Sequence, residues 1–494
     1  MRRLLEPPVL LRILTPLILL PLLGLAARPH ALAELQQQIG RARTFHAYPT
    51  LAKGLALVAE HQPWRLELLE QAGLYAYQGD DYETAIDLFE QASSYRRLSP
   101  LGHLYLGDAY RKTGDTQAAM TSWQMAKPGV SAEEVVRRTL EIHQEAADFQ
   151  AVITDLQELA ALRPADVSVR YRLGLHLAAL QPEAALPNLA QVADLNPSLR
   201  PQTERLIQAI RSAQLTEDPA FTLLESGRAL AVMGEWALAA EAFRGAAAAD
   251  PKYAEAWAYL GEAKQQLAIT VEKENISNAT TSNTANAEKL GIGLPELKKA
   301  LQLDPESLAG NTLMALYWQR QGMYDLALEY LNKVTAQYPN DPALQAQLGS
   351  SLALSGDLEA ALKAYKRGVE LAPRQAEPWR QLAGFCVLHE YLLREEGLPA
   401  ARRAASIEPS DPANLDMLGQ VLLLLEDFST AQRFFRTALD VNPAYTPAQV
   451  HLGLVYALRG DTQQAYQAWK AVSATAPGTP AAEQAERLLL NYFP

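Results

Sequence analysis

Prolines keep time along this chain. Pro305, Pro339 and Pro373 stand 34 residues apart, and so do Pro409, Pro443 and Pro477. A fixed period of that length means one supersecondary unit repeated, each copy too small to bury its own apolar face and so stacked on its neighbours. The stretches between the prolines are helical by composition, rich in Ala and Leu and poor in Val, Ile and Thr. The run from Gly234 to Pro251, GEWALAAEAFRGAAAADP, is the extreme case, a helix made largely of alanine with hardly a reactive side chain. At 494 residues the chain is too long for one ordinary core, whereas an array extends its core along one axis.

Aligning the units by phase exposes their packing logic. One position is filled by Gly73, Gly107, Gly174, Gly227, Gly261, Ala315, Gly349, Ala383, Gly419 and Gly453, which counts ten units. A second small position holds Ala85, Ala119, Ala239, Ala327, Ala361, Ala431 and Ala465, each followed four residues later by Phe89, Trp123, Phe243, Leu331, Tyr365, Phe435 or Trp469. Small residues at both places let two helices approach closely, and the large residue is expected to plug the next unit. With Trp257, Leu260 and Gly261 on a first helix and Ala239, Phe243, Ala246 and Pro251 on a second, the pattern resembles the tetratricopeptide repeat over residues 66–479. That resemblance implies an all-α, right-handed solenoid of antiparallel helix pairs, a TPR superhelix.

Departures from the period divide the chain. Residues 34–65 read as divergent leading helices, 66–200 as an N-terminal block, 201–217 as an extra linking helix, 218–479 as a C-terminal block and 480–494 as a cap helix. A degenerate unit spans 131–164, with Leu140 where a glycine is expected. Between Trp257 and Pro305 lie 48 residues where the pattern predicts 28, including NISNATTSNTANAEK, too polar to bury; residues 268–290 are expected to be a mobile loop. Asn275 and Asn278 there match the N-glycosylation pattern, which matters only in a host that glycosylates exported proteins. Residues 1–33 carry Arg2, Arg3 and Arg12, an uncharged run from Ile13 to Ala27 and then Ala31-Leu32-Ala33. They read as a cleaved signal peptide or a retained membrane anchor over residues 9–27, placing the rest of the chain outside the cytoplasmic membrane, either free or held by that anchor.

Little in the sequence speaks for catalysis. A net charge of −12 repels phosphate backbones, so no nucleic-acid partner is expected. One cysteine, Cys386, sits in the apolar run AGFCVL and reads as a small buried hydrophobe. His389 and Glu390 open an H-E-x-x-H frame that Leu393 breaks, and the histidine of EIHQE, His143, faces away from Glu141 and Glu145. The glycines of KLGIGLPELKK follow no strand. No catalytic residue, cofactor or metal is therefore expected, and the chain reads as a non-enzymatic scaffold for a protein or peptide partner. An envelope enzyme or a subunit of one, and a cytoplasmic adaptor, stand as alternatives; the oligomeric state is open.

The resemblance places the partner in a groove lined by the first helices, at positions one beyond, three short of and four beyond the close-approach residue. Carried over by phase, the C-terminal half offers Ala346, Ser350, Ala353, Arg380, Gly384, Val387, Asp416, Gln420, Leu423, Val450 and Leu454. Most are small or apolar, suited to an extended or helical segment with an apolar stripe, with Arg380 and Asp416 as polar registers. The N-terminal half offers the more polar Glu67, Glu70, Asp108, Arg111 and Lys112. The Asn, Lys and Arg set with which members of this family clamp a chaperone-tail carboxylate is missing.

Overall fold

Helix starts are written in short polar side chains. Asp81, Asp115, Asp148, Asp357 and Asp427 each precede a second helix and accept from the backbone N–H three residues on. Ser99, Asp166, Asp218, Ser307 and Asp341 do the same for first helices, and Asp411 accepts from the N–H two residues on. Each such cap satisfies a backbone donor that the helix cannot, worth about 1 kcal/mol. The turn between the helices of most pairs has a residue with positive φ; Gly356 supplies it at φ 94°, and where glycine is absent Ala147 takes φ 51°, whereas Gln181 turns its pair at φ −140°.

A computed structural model describes residues 30–65, 67–277 and 291–493. The described residues form 26 α-helices and no strand, and 80% of the structure is helical. The expected signal or anchor at 1–33 lies almost wholly outside the described residues, as does the part of the expected loop from 278 to 290. Among the described residues no helix is long and apolar enough to cross a membrane.

The chain divides into two compact units between Ile207 and Gln208. The first holds α1 (His30–Thr44), α2 (Tyr48–His61), α3 (Glu67–Gln78), α4 (Tyr82–Tyr95), α5 (Pro100–Thr113), α6 (Thr116–Ala126), α7 (Ala132–Glu145), α8 (Phe149–Leu162), α9 (Val167–Leu180) and α10 (Pro182–Leu195). The division falls inside α11 (Arg200–Gln214). The second holds α12 (Pro219–Val232), α13 (Trp236–Ala249), α14 (Ala254–Ser277), α15 (Leu294–Leu303), α16 (Leu308–Arg320), α17 (Tyr324–Gln337), α18 (Pro342–Leu354), α19 (Leu358–Leu371) and α20 (Ala376–Leu388). It continues through α21 (Leu398–Ile407), α22 (Pro412–Leu424), α23 (Phe428–Val441), α24 (Thr446–Leu458), α25 (Thr462–Thr475) and α26 (Pro480–Tyr492).

Each pair closes on one contact. A Cβ at Gly107 would lie 2.4 Å from the Trp123 ring, at Gly419 2.4 Å from Phe435 and at Gly453 2.4 Å from Trp469. The large residue therefore covers the glycine of its own pair, which corrects the expectation that it only plugs the next unit. It reaches onward as well: Phe243 stacks on Tyr259 at 5.4 Å and Tyr365 on Phe385 at 5.1 Å, and Phe435 lies tilted against His451 at 5.6 Å. Where the plug is tryptophan, its N–H finds the backbone carbonyl three residues before the glycine, Leu104 for Trp123 at 3.2 Å and Val450 for Trp469 at 2.9 Å.

Two irregular pairs differ from the sequence reading. Helix α14 runs to Ser277, so residues 268–277 are helical where a loop was expected. Its Gly261 meets backbone instead of an aromatic ring: a Cβ there would lie 2.7 Å from the carbonyl oxygen of Gly293, which explains the glycine of KLGIGLPELKK by close packing. Pro373 and Pro409 are 36 residues apart, and the two extra residues are absorbed by a π turn, Leu393–Gly397, preceded by Glu390 and Leu392 at positive φ.

Candidate functional site

First helices of successive pairs also touch. Helix α3 meets α5, α14 meets α16, and α18, α20, α22, α24 and α26 follow one upon the next. Among the described residues, second helices make no comparable contact with one another. Where these contacts occur, at α3 and α5 in the first unit and along most of the second, the first helices lie closer together than the second helices, and a layer that is tighter on one side curves toward it. The first-helix face is the inner face, and each unit's candidate site lies there.

In the second unit that crowding sorts the expected residues by phase. Those one beyond the close-approach position, Ser350, Gly384, Gln420 and Leu454, are half-buried and keep an open edge. So do Arg380 and Val387. Ala346, Asp416 and Val450, three short of it, and Ala353 and Leu423, four beyond, are buried. Phase alone does not decide exposure, because Arg380 and Val387 share these two phases and stay half-buried.

Asp416 is the clearest case, with an exposure of 2%. Its carboxylate accepts from His451 Nδ1 at 2.8 Å and from Gln420 Nε2 at 2.9 Å, tying α22 to α24. Arg380 pairs with Glu377 and reaches Asp411, the cap of α22, at 3.4 Å. Tyr445 lies in the field of these groups, its phenol pushed up to about 12 by burial and by the charges of Asp416 and Asp411. Arg380 thus remains available as a polar register, whereas Asp416 is spent on the fold.

The polar inner residues of the first unit are similarly engaged. Asp108 receives Arg138 through two bonds of 2.7 and 3.0 Å and Trp123 Nε1 at 3.0 Å; Arg111 pairs with Glu145. Lys112 points to solvent. Glu67 pairs with Arg65 at 2.9 Å, and its own backbone N–H, then that guanidinium, hold its carboxyl below the usual range. Glu70 accepts from Arg96 at 2.8 Å and from the Ser99 hydroxyl, and packs so closely on Gly102 that a Cβ there would lie 2.5 Å from its Oε1.

Between these residues opens a cleft of about 200 Å³ that sequence reasoning missed. Leu74, Leu101 and Tyr105 wall it, Phe89 forms part of its lining, and Glu67 and Arg96 stand at its edge. Leu74 occupies the position one beyond Gly73, the phase that stays open in the second unit, and that rule would have found it. Arg96 follows the end of a second helix, where first-helix phase gives no signal.

Paired helices at this period, a small residue facing a large plug in most pairs, and first helices laid side by side define an all-α solenoid of the tetratricopeptide-repeat type. Models of the tetratricopeptide repeat match residues 319–384 and, in a second form, residues 70–127, 224–263 and 417–479. Among curated proteins the chain is similar to the BBSome complex member BBS4 of Bos taurus, 25% identical over 175 residues that cover 35% of this chain and 33% of that one. It is similar also to tetratricopeptide repeat protein 8 of Caenorhabditis elegans, 24% identical over 212 residues, 42% of this chain and 41% of that one. The matches thus span well under half the length of these relatives. Among solved structures, yeast Tom70 aligns over 94% of this chain and 95% of its own at 13% identity and a TM-score of 0.42. YrrB, described as a TPR protein with an unusual peptide-binding site, aligns over 39% of this chain and 97% of its own at 16% identity and a TM-score of 0.28.

Proposed function

We propose that this protein is a non-enzymatic scaffold that holds a polypeptide segment against the first-helix face, and that it does so outside the cytoplasmic membrane. The observation that carries the reading is the α3–α5 cleft, apolar within and bounded by charges of both signs, large enough for one apolar side chain of an extended or helical segment. The half-open row of Ser350, Gly384, Gln420 and Leu454 offers the second unit's inner face to the same kind of ligand, with Arg380 as its polar register. Repeats of this type support protein partners in general. The exported location rests on the basic, apolar and small-residue order of residues 1–33. A role in envelope, secretion or surface-polymer assembly follows by analogy with repeat scaffolds.

Site-specific photocrosslinking in the native host tests the proposal. A crosslinker at Leu101 or Gln420, on the inner face, is expected to give discrete polypeptide adducts, and one at the exposed second-helix positions Thr154 or Lys363 is not. Equal adducts from both sets, or none from the inner positions, contradict it. Fractionation with mass spectrometry of the N-terminus checks the location; a cytoplasmic chain overturns that part.

A further inference from the structure

The first unit has two edges of unlike chemistry. Its consecutive helices are joined by one to five residues and pack antiparallel, so the junctions fall alternately on one edge and the other. The junctions α2–α3, α4–α5, α6–α7 and α8–α9 hold Arg65, Arg96, Arg97, Lys127 and Arg163 against a single acid, Asp166. Those of the opposite edge, from α1–α2 to α9–α10, hold Asp80, Asp81, Asp115 and Asp148 and neither Lys nor Arg.

The basic edge is also the apolar one. Trp64 follows the end of α2 and is 73% exposed; Tyr95, Leu162 and Leu195 are the last residues of α4, α8 and α10, Met125 is the last but one of α6, and all four are exposed. At the same place in the second unit Leu303, Leu371 and Ile407 are half-buried and only Val441 is exposed, so the repeat by itself does not impose that exposure. Four of the cations pair with glutamates on the helices behind them, yet the side chains of Arg96 and Arg163 are the more exposed partners, 38% against 13% for Glu70 and 58% against 20% for Glu133. Arg97 has no ion pair among the described residues and is exposed.

Indole and phenol rings with arginine and lysine between them suit a membrane–water interface, where the ring bodies leave water, their polar ends stay wet and the cations meet phosphate. The entry of the chain selects that partner. Helix α1 packs on α2 and starts at His30, on this same edge, and residues 1–29, with the uncharged run Ile13–Ala27, join it there. We propose that this edge of the first unit lies on an anionic bilayer surface, with Trp64 and Tyr95 at the interface and Arg65, Arg97, Lys127 and Arg163 against lipid phosphates. The acidic edge is repelled by the same surface. The inference rests on the reading that residues 1–33 bring the chain to the outer side of the cytoplasmic membrane.

Quenching of a thiol-attached fluorophore by nitroxide lipids tests it, on the full chain reconstituted with phosphatidylcholine vesicles that contain or lack phosphatidylglycerol. Ser94→Cys and Ala161→Cys place the label in the last turns of α4 and α8, on the basic edge, and Glu83→Cys and Glu183→Cys in the first turns of α4 and α10, on the acidic one. Cys386 is fully buried and stays unlabelled. Labels at the first two positions are expected to be quenched, about twofold more with phosphatidylglycerol than without, and labels at the other two are not. Arg97→Gln combined with Lys127→Gln should remove the gain from phosphatidylglycerol. Equal quenching at both edges, or none at Ser94 and Ala161 in a chain that floats with the vesicles, overturns the proposal and leaves the membrane reading standing; a chain that does not float overturns that reading as well. A photocrosslinker at Trp64 that captures polypeptide in the host, with no lipid quenching, puts a protein on this edge and overturns the proposal too.

Discussion

Two neighbouring glycine positions on adjacent first helices show how finely the fold depends on single atoms. At Gly419 an added methyl would lie 2.4 Å from Phe435, a ring with no exposure and no room to move. At Gly384 the nearest atom is Met417 Cε at 3.5 Å, an ordinary contact with the end of a flexible chain. Gly419→Ala is therefore expected to cost about 1–3 kcal/mol by overpacking. Gly384→Ala should be neutral or stabilising by up to about 1 kcal/mol, through helix propensity alone. Chemical denaturation of the two variants beside the parent chain checks the pair, and equal effects would mean that helix propensity rather than the ring contact governs both sites. The glycine and its plug were legible in the sequence because both recur at a fixed phase. Which pair the plug belongs to was not, since Phe435 touches the glycine of its own pair and His451 of the next, and periodicity cannot separate the two.

At the scale of the element, the sequence located helices well where capping residues and period agree, and less well where the chain departs from the period. The polar run after Leu267 read as loop from 268, yet α14 carries on to Ser277; a polar composition weighs against burial and not against helix. The π turn had no sequence signal beyond two extra residues between prolines. Its consequence is chemical: Gly397 brings the turn against Cys386 Cβ, the thiol is fully buried, and burial, followed by the charge of Glu396, pushes its pKa up to about 12. An unfolded thiol ionises near pH 8.5, so above that pH the thiolate favours unfolding, and stability is lost progressively as pH rises toward about 12. At pH 8 Cys386 should resist a thiol reagent such as dithionitrobenzoate in the folded chain and react fully in guanidinium. Rapid native labelling would show that the turn opens. The groove suffered from the same limit as the loop. Asp416 and Val450 are buried while Arg380, at the same phase, is half-buried, and the neighbouring helices that decide this are not given by phase.

For the molecule as a whole, an array stabilised by contacts between neighbours behaves as a chain of local couplings, so damage in one pair spreads only as far as the pairs it touches. Each unit has its own buried cluster, Ala72, Ala85 and Phe89 in the first and Val421, Phe435, Val455 and Trp469 in the second. Function on this account is a property of surface phase, with an inner face for a polypeptide carried by a scaffold whose alanines and glycines exist to let helices meet. The most direct test of that scaffold is hydrogen exchange, followed by mass spectrometry, on full-length Gly419→Ala beside the parent chain. The account predicts faster exchange in α20 to α25, with residues 67–195 unchanged. Uniform acceleration along the whole chain, or no change around α22 and α23, would contradict it.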